Sequence, residues 1–318
     1  MSYSTNWSEM PMEIRALCIR KMDFQSKMRM RRTSSIEKAL VDSRKHAFDD
    51  VILRQTSGEL VVEAHEKNGV IYTRTEEMIE RMLHKIHHDI TPTEFIHSLI
   101  LSIFRHGKVS HLMIDNFSQE DPDLIDQLSS IPDLRVPILR FYQMSNGSIH
   151  DFIEVIKGPY KLLDIAHCTD RAVNRIIRDP LVHSRILKAE QVQFDVTSCP
   201  DPHIIPHFWI GMDSRIGAMF RMDLNGPHDQ LMIDSAKLSF LTDFTEKFPG
   251  RVISSTDNET RIRTDNPLKH IIFKFYDCHI GDHEKCATAV CQVIPAEMKM
   301  EDFEKESGWV EYDDLLEN

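Results

Sequence analysis

Five short segments of the chain carry the same apolar signature, and their spacing constrains its architecture more than any other feature. HLMIDNF, PILRFYQ, KLLDIAH, QVQFDVT and AMFRMDL each hold two apolar residues two positions apart: Leu112/Ile114, Leu139/Phe141, Leu163/Ile165, Val192/Phe194 and Phe220/Met222. Alternation with period two is a strand signal. The first members of successive pairs lie 27, 24, 29 and 28 residues apart. A gap of that size holds a helix and two loops, enough for one strand to return parallel to the last. Helical periodicity fills most of the gaps, and the spacing predicts helices over 76–89, 93–106, 121–130, 148–157, 170–187, 202–212 and 235–248. The fold class is α/β (α+β overall), with further strands at RVISS, RIRTD and HIIFKFYD.

The repeat spacing is close to that of irregular leucine-rich-repeat-like strand–helix units, without their Asn ladder. Upstream, DDVILRQ, GELVVEAHEK and NGVIYTR alternate and are separated by Ser57-Gly58 and Asn68-Gly69, the punctuation of a small antiparallel meander. The resulting division is 1–48 for short helices, 49–74 for the meander, 75–298 for the strand–helix units, and 299–318 for an acidic tail expected to be disordered. The chain has 318 residues and a formal net charge of −12, which argues against a nucleic-acid backbone partner. The longest apolar run, from Phe95 to Phe104, is interrupted by His97 and is too short for a bilayer, so no membrane partner is expected. Six irregularly spaced Cys and a polar start read as reduced thiols in an intracellular protein, cytoplasmic and/or nuclear.

Catalytic signatures are missing from the sequence. It contains no Gly-rich phosphate loop, no G-x-S-x-G and no H-E-x-x-H, so no catalytic residue, no cofactor and no enzymatic activity are expected. Cys278, His279, His283 and Cys286, with Cys291 nearby, have zinc-compatible side chains but lack paired short spacings, and His84, His87 and His88 offer no third ligand. Both groups are expected to be metal-free.

The N-terminal stretch NWSEMPMEIRALCIRKMDFQSKMRMRRTSS reads as two short helices, with Thr33 or Ser34 capping a third. Pro11 suits a first helical turn. Such short helices bury little by themselves, which leaves apolar surface for a partner. RRTSS also matches a basophilic kinase site at Ser34.

The segment from Trp7 to Ser43 resembles an F-box. The family's Leu-Pro-x-Glu-Ile stands here as Met10-Pro11-Met12-Glu13-Ile14. Met28-Arg29 matches its Leu-Arg helix, and Ser34 or Ser35 precedes its third helix. Trp7 and the trailing LVDS are similar to the nematode-type F-box. VNRIIRDPLVHSRILKAEQVQFDV and PHIIPHFW are similar, in order and spacing, to an FTH-type F-box-associated domain, although the Trp of that family's Gln-Trp-Lys cluster is absent. The resemblance implies a substrate-recognition subunit of a Skp–cullin–F-box ubiquitin ligase. Its adaptor face would draw on Met10, Pro11, Ile14, Cys18, Ile19, Met22 and Met28, some of which must instead face the chain's own core. A non-catalytic protein-binding scaffold without ligase association is the alternative. The unknown protein substrate is expected on the strand face opposite the apolar pairs. Met113, Arg140, Asp164, Gln193 and Arg221 would form a ladder there, continued by Asp115, Tyr142, Asp195 and Asp223. Arg140, Tyr142, Gln193 and Arg221 are the expected contacts.

Overall fold

A computed structural model describes residues 7–56, 59–66, 71–75, 78, 90–117, 121–144, 148–168, 185–195, 204–211, 213–224, 238, 241–280, 284–299 and 302–303. After a 3-10 turn at Trp7–Glu9 come α1 (Met12–Lys21), α2 (Phe24–Met30) and α3 (Ser35–Asp42). Polar caps separate them: Asp23 accepts from the Ser26 N–H at 2.6 Å, and Ser34 accepts from the Glu37 N–H at 3.3 Å. Each cap satisfies an N-terminal amide that the helix itself cannot.

Three antiparallel strands follow, β1 (His46–Thr56), β2 (Glu59–Glu66) and β3 (Ile71–Thr75). The strand–helix region supplies α4 (Pro92–His106), β4 (Gly107–Asp115), α5 (Pro122–Ser129), β5 (Ile138–Tyr142), α6 (Ser148–Val155), β6 (Leu162–Ala166), β7 (Gln191–Asp195), α7 (Ile204–Gly211) and β8 (Met219–Leu224). The chain ends in β9 (Val252–Ser255), β10 (Glu259–Arg263), β11 (Lys269–Ile280) and β12 (Glu284–Pro295). Residues 241–247 are also helical. The helices expected over 76–89 and 170–187 fall almost entirely outside the described residues.

Among the described residues, twelve strands form one mixed sheet in the order β3-β2-β1-β4-β5-β6-β7-β8-β12-β11-β10-β9. β4 to β8 run parallel in chain order, as stacked strand–helix units do. The meander is continuous with them, because β1 pairs antiparallel with β2 and parallel with β4. The position expected to divide meander from repeats therefore lies within a single sheet.

The apolar pairs are register partners. Leu112, Leu139, Leu163, Val192 and Phe220 lie side by side, as do Ile114, Phe141, Ile165, Phe194 and Met222. Those described are almost fully buried. They share one core with Ile96, Ile100 and Ile103 of α4, Leu124 and Leu128 of α5, and Phe152 of α6. Phe152 lies edge-on to Phe117 and tilted against Phe141.

The same backbone device closes β4, β5 and β6. Asn116, Gln143 and His167 each directly follow a strand and adopt positive φ, at 56°, 53° and 54°. The left-handed residue turns the chain so that the next side chain, Phe117, Met144 or Cys168, enters the core. The amides of Asn116 and Gln143 donate to Tyr142 and Ala166 one strand over, at 2.9 and 3.1 Å.

The acidic tail starts as ordered structure. Phe303 is buried on the sheet with Ile272 and Ile294, and Met298 packs against them. Arg261 fixes the approach by donating to the carbonyls of Met298 and Ala296, both at 2.7 Å. The rest of the tail, with Trp309 and Tyr312, lies outside the described residues.

Candidate functional site

The N-terminal helices are held together through one carboxylate. Glu37 of α3 is buried, and its Oε1 accepts from Trp7 Nε1 at 3.1 Å and from Arg15 Nη1 of α1 at 2.9 Å. Its Oε2 accepts from the Ser34 hydroxyl. The Trp7 N–H, with Arg15, holds the Glu37 carboxyl below the usual carboxylate range. A buried charge persists only when its hydrogen-bonding positions are filled, and here the filling groups come from three segments.

This clamp leaves apolar side chains facing outward. Ile14 is 46 % exposed, Met12 53 %, Leu17 44 % and Ile36 47 %. Among the expected adaptor residues, Pro11 is exposed, while Met10, Cys18 and Met22 are half-buried. Ile19 turns into the chain's own packing at 4 % exposure. Met28 packs on the main core, with the Ser102 hydroxyl 3.5 Å from its sulfur. Met12, Leu17 and Ile36 were not among the expected residues. The available signal was that α1 is apolar on more than one side, whereas a helix serving only its own core needs a single stripe.

A cleft of about 730 Å³ separates the C-terminal ends of α1 and α3 from β1, lined in part by Leu17, Met22, Val41 and Lys45. At its base Lys27 Nζ lies 2.6 Å from His46 Nδ1, and His46 Nε2 lies 2.9 Å from Glu66 Oε2. Glu66 Oε1 accepts the first amide of α2, from Phe24, at 2.8 Å. Burial pushes the pKa of both Lys27 and His46 down. A neutral His46 then accepts from Lys27 at Nδ1 while its Nε2 lies against the Glu66 carboxylate, and the contact latches α2 onto β1 and β2.

The second candidate surface is the sheet face opposite the apolar pairs. Met113, Arg140, Asp164, Gln193 and Arg221 form one continuous row of register partners. β1 extends the row with Ile52, and β12 with Val290. Acidic side chains in this region lie against histidine or basic neighbours on adjacent strands. Asp50 Oδ1 lies 2.5 Å from His111 Nδ1, Arg54 Nε 2.5 Å from Asp115 Oδ2, and Arg140 Nε 2.7 Å from Asp164 Oδ2. Lys274 and Glu259 approach to 3.6 Å. Asp115 and Asp164 are buried despite pointing away from the helices. Arg140 therefore belongs to an ion pair with a buried carboxylate, Gln193 and Arg221 are half-buried, and Tyr142 sits half-exposed with its ring edge-on to His167. The side chains of Asp195 and Asp223 lie outside the described residues.

Cys278 and Cys286 are backbone register partners in β11 and β12. Their side chains, like His279, His283 and the helix expected to carry His84, His87 and His88, lie outside what is described. Cys291 is fully buried in the core, and burial pushes its thiol pKa up. No helix among the described residues is long and apolar enough to cross a membrane. No family model, curated protein or solved structure matches the chain.

Proposed function

We propose that the chain is the substrate-recognition subunit of a Skp–cullin–F-box ubiquitin ligase. It docks on a Skp-type adaptor through α1 and α3 and captures a protein substrate on the polar face of the sheet. The observation that carries this reading is the outward set of Met12, Ile14, Leu17 and Ile36 on helices that Glu37 holds in place. A small helical unit that is held together by its own contacts and still exposes apolar side chains has surface suited to a partner. The resemblance of Met10 to Ile14 to the F-box signature supplies the identity of that partner. In this role the protein acts by effective concentration: tethering substrate beside a charged conjugating enzyme replaces a bimolecular encounter by a local one. The chain then needs no reactive side chain of its own.

Substitution of Ile14 tests the docking face directly. Ile14 is half out of its own fold, so Ile14→Asp should leave the far-UV CD spectrum unchanged. In a complex the carboxylate would be desolvated without a partner, a cost of several kcal/mol. Binding to purified Skp-type adaptor should fall below detection. Equal binding by mutant and wild type would overturn the docking face. Failure of the wild type to bind would leave a protein-binding scaffold outside the ligase.

A further inference from the structure

We propose that Ser34 is a regulatory phosphorylation site for an Arg-directed protein kinase, and that its phosphate opens the clamp on which the N-terminal helices depend. The effect on docking rests on the function proposed above; the modification and its effect on the clamp do not. Three observations converge on this serine. Arg31-Arg32-Thr33-Ser34 places two guanidinium groups three and two positions before the hydroxyl. Ser34 is exposed in the short connection between α2 and α3, with extended backbone at φ −160° and ψ 167°. Its hydroxyl also donates to Oε2 of Glu37, the buried carboxylate that receives Trp7 and Arg15 on its other oxygen.

The reaction is transfer of the terminal phosphoryl group of ATP to Ser34 Oγ. The new P–O bond forms as the bond to the leaving ADP breaks, and the hydroxyl proton passes to the kinase's base. Two things change at Oγ. The hydrogen bond donated to Glu37 is lost, because the proton is gone. A group of charge near −2 then stands against a carboxylate that its own donors keep ionised. The N-terminus of α3 attracts a phosphate, but only with partial charges. The repulsion is between full charges in contact, which outweighs an attraction to partial charges even near the protein surface. Repulsion therefore wins, and Glu37 must leave Ser34, Trp7 or both. Arg31 can follow the phosphate only by leaving Asp42, which it holds at 2.6 Å. The first rearrangement loosens Trp7 and α1 from α3, and the second loosens the end of α2 from α3.

The test uses the full chain and needs no adaptor. The protein is incubated with the catalytic subunit of an Arg-directed kinase and magnesium ATP, then read by intact mass, fragment localisation and tryptophan emission. One phosphoryl group should appear on wild type at Ser34 and none there in Ser34→Ala. Emission should shift to the red on phosphorylation, and the shift should vanish in Trp7→Phe, which removes the reporting ring. Glu37→Gln separates the cause: without the second negative charge the phosphate should give a much smaller shift. A denatured chain phosphorylated at Ser34 while the folded chain is refused would overturn the site. Full phosphorylation with unchanged Trp7 emission would overturn the clamp mechanism. If phosphorylation and the shift occur but neither form binds adaptor, the inference stands and the docking reading fails.

Discussion

Asp164 shows what period-two alternation can and cannot say about a side chain. Alternation puts Asp164 opposite Leu163 and Ile165, and the register agrees. Alternation does not reveal that the neighbouring strand brings Arg140 to 2.7 Å, leaving Asp164 4 % exposed. Arg140 was legible as a face residue, but not as the cation neutralising a buried carboxylate, because that depends on which strand lies alongside. Removing one partner of such a pair leaves a buried charge and costs about 3 kcal/mol. Arg140→Ala should therefore lower the urea midpoint clearly, whereas Arg140→Leu combined with Asp164→Leu should recover most of the loss. A double mutant as unstable as the single would refute the ion-pair account. Tyr142 is the cleaner probe of substrate capture, since its half-exposed ring rests on His167. Tyr142→Ala should change stability by less than about 1 kcal/mol and weaken retention of whatever the protein captures. Unchanged retention would remove Tyr142 from the binding face.

At the scale of elements, the apolar pairs identified β4 to β8 as strands and gave the face that each buries, because burial of one face admits no one-residue slip. The left-handed residue after each strand was not legible. None of Asn116, Gln143 and His167 is Gly; Asn and His tolerate the left-handed region better than most residues, but Gln does not stand out there, and at each position the turn buries the next side chain, Phe117, Met144 or Cys168. A β-branched residue tolerates that backbone worst. Gln143→Val should cost roughly 1–2 kcal/mol and Gln143→Gly nothing or less, compared by thermal melting. The passage from α4 to β4 is a second constraint that composition hides. A Cβ at Gly107 would lie 2.4 Å from the Ile103 carbonyl and 2.7 Å from the Phe48 ring. Neither group is free to move, as one closes a helix and the other is fully buried between Phe24 and His46. Gly107→Ala should destabilise by about 1–3 kcal/mol, the usual cost of overpacking. A melting temperature equal to wild type would show that the helix end can shift. The continuity of β1 with β4 was hidden for a related reason: a chain-local pattern identifies a meander but not the strand that joins its free edge.

Over the whole molecule, two electrostatic effects of opposite sign act as pH falls below neutrality. The chain carries a net charge of −12 with His neutral, so partial protonation relieves self-repulsion and favours the folded state. Against this, burial lowers the pKa of His46, His106 and His270, and neighbouring cations add to it: Lys27 at His46, Arg31 at His106 and Arg261 at His270. A histidine held below its ordinary value near 6.5 is protonated in the unfolded chain first. Its contribution is therefore complete above that value and is lost as pH drops from there towards the folded-state value. Acidic groups continue the loss lower down. His111 holds Asp50, and Arg31 holds Asp42, below the usual carboxylate range, so their contributions persist until pH falls through about 4. Salt separates the two effects. Diffuse self-repulsion between surface charges is screened within about 3 Å at 1 M ionic strength, while contacts inside the Lys27–His46–Glu66 latch are screened far less. In high salt the histidine effect should dominate, and the melting temperature should fall steadily as pH drops below the ordinary histidine value of about 6.5. In low salt the fall should be shallower, because relief of repulsion offsets part of it. His46→Gln removes the ring that must stay neutral between Lys27 and Glu66, so its high-salt pH slope should be visibly smaller than that of wild type. A wild-type melting temperature that is flat or rising on acidification in high salt would mean that these histidines do not bear on stability. A His46→Gln slope equal to wild type would move the effect to His106 and His270.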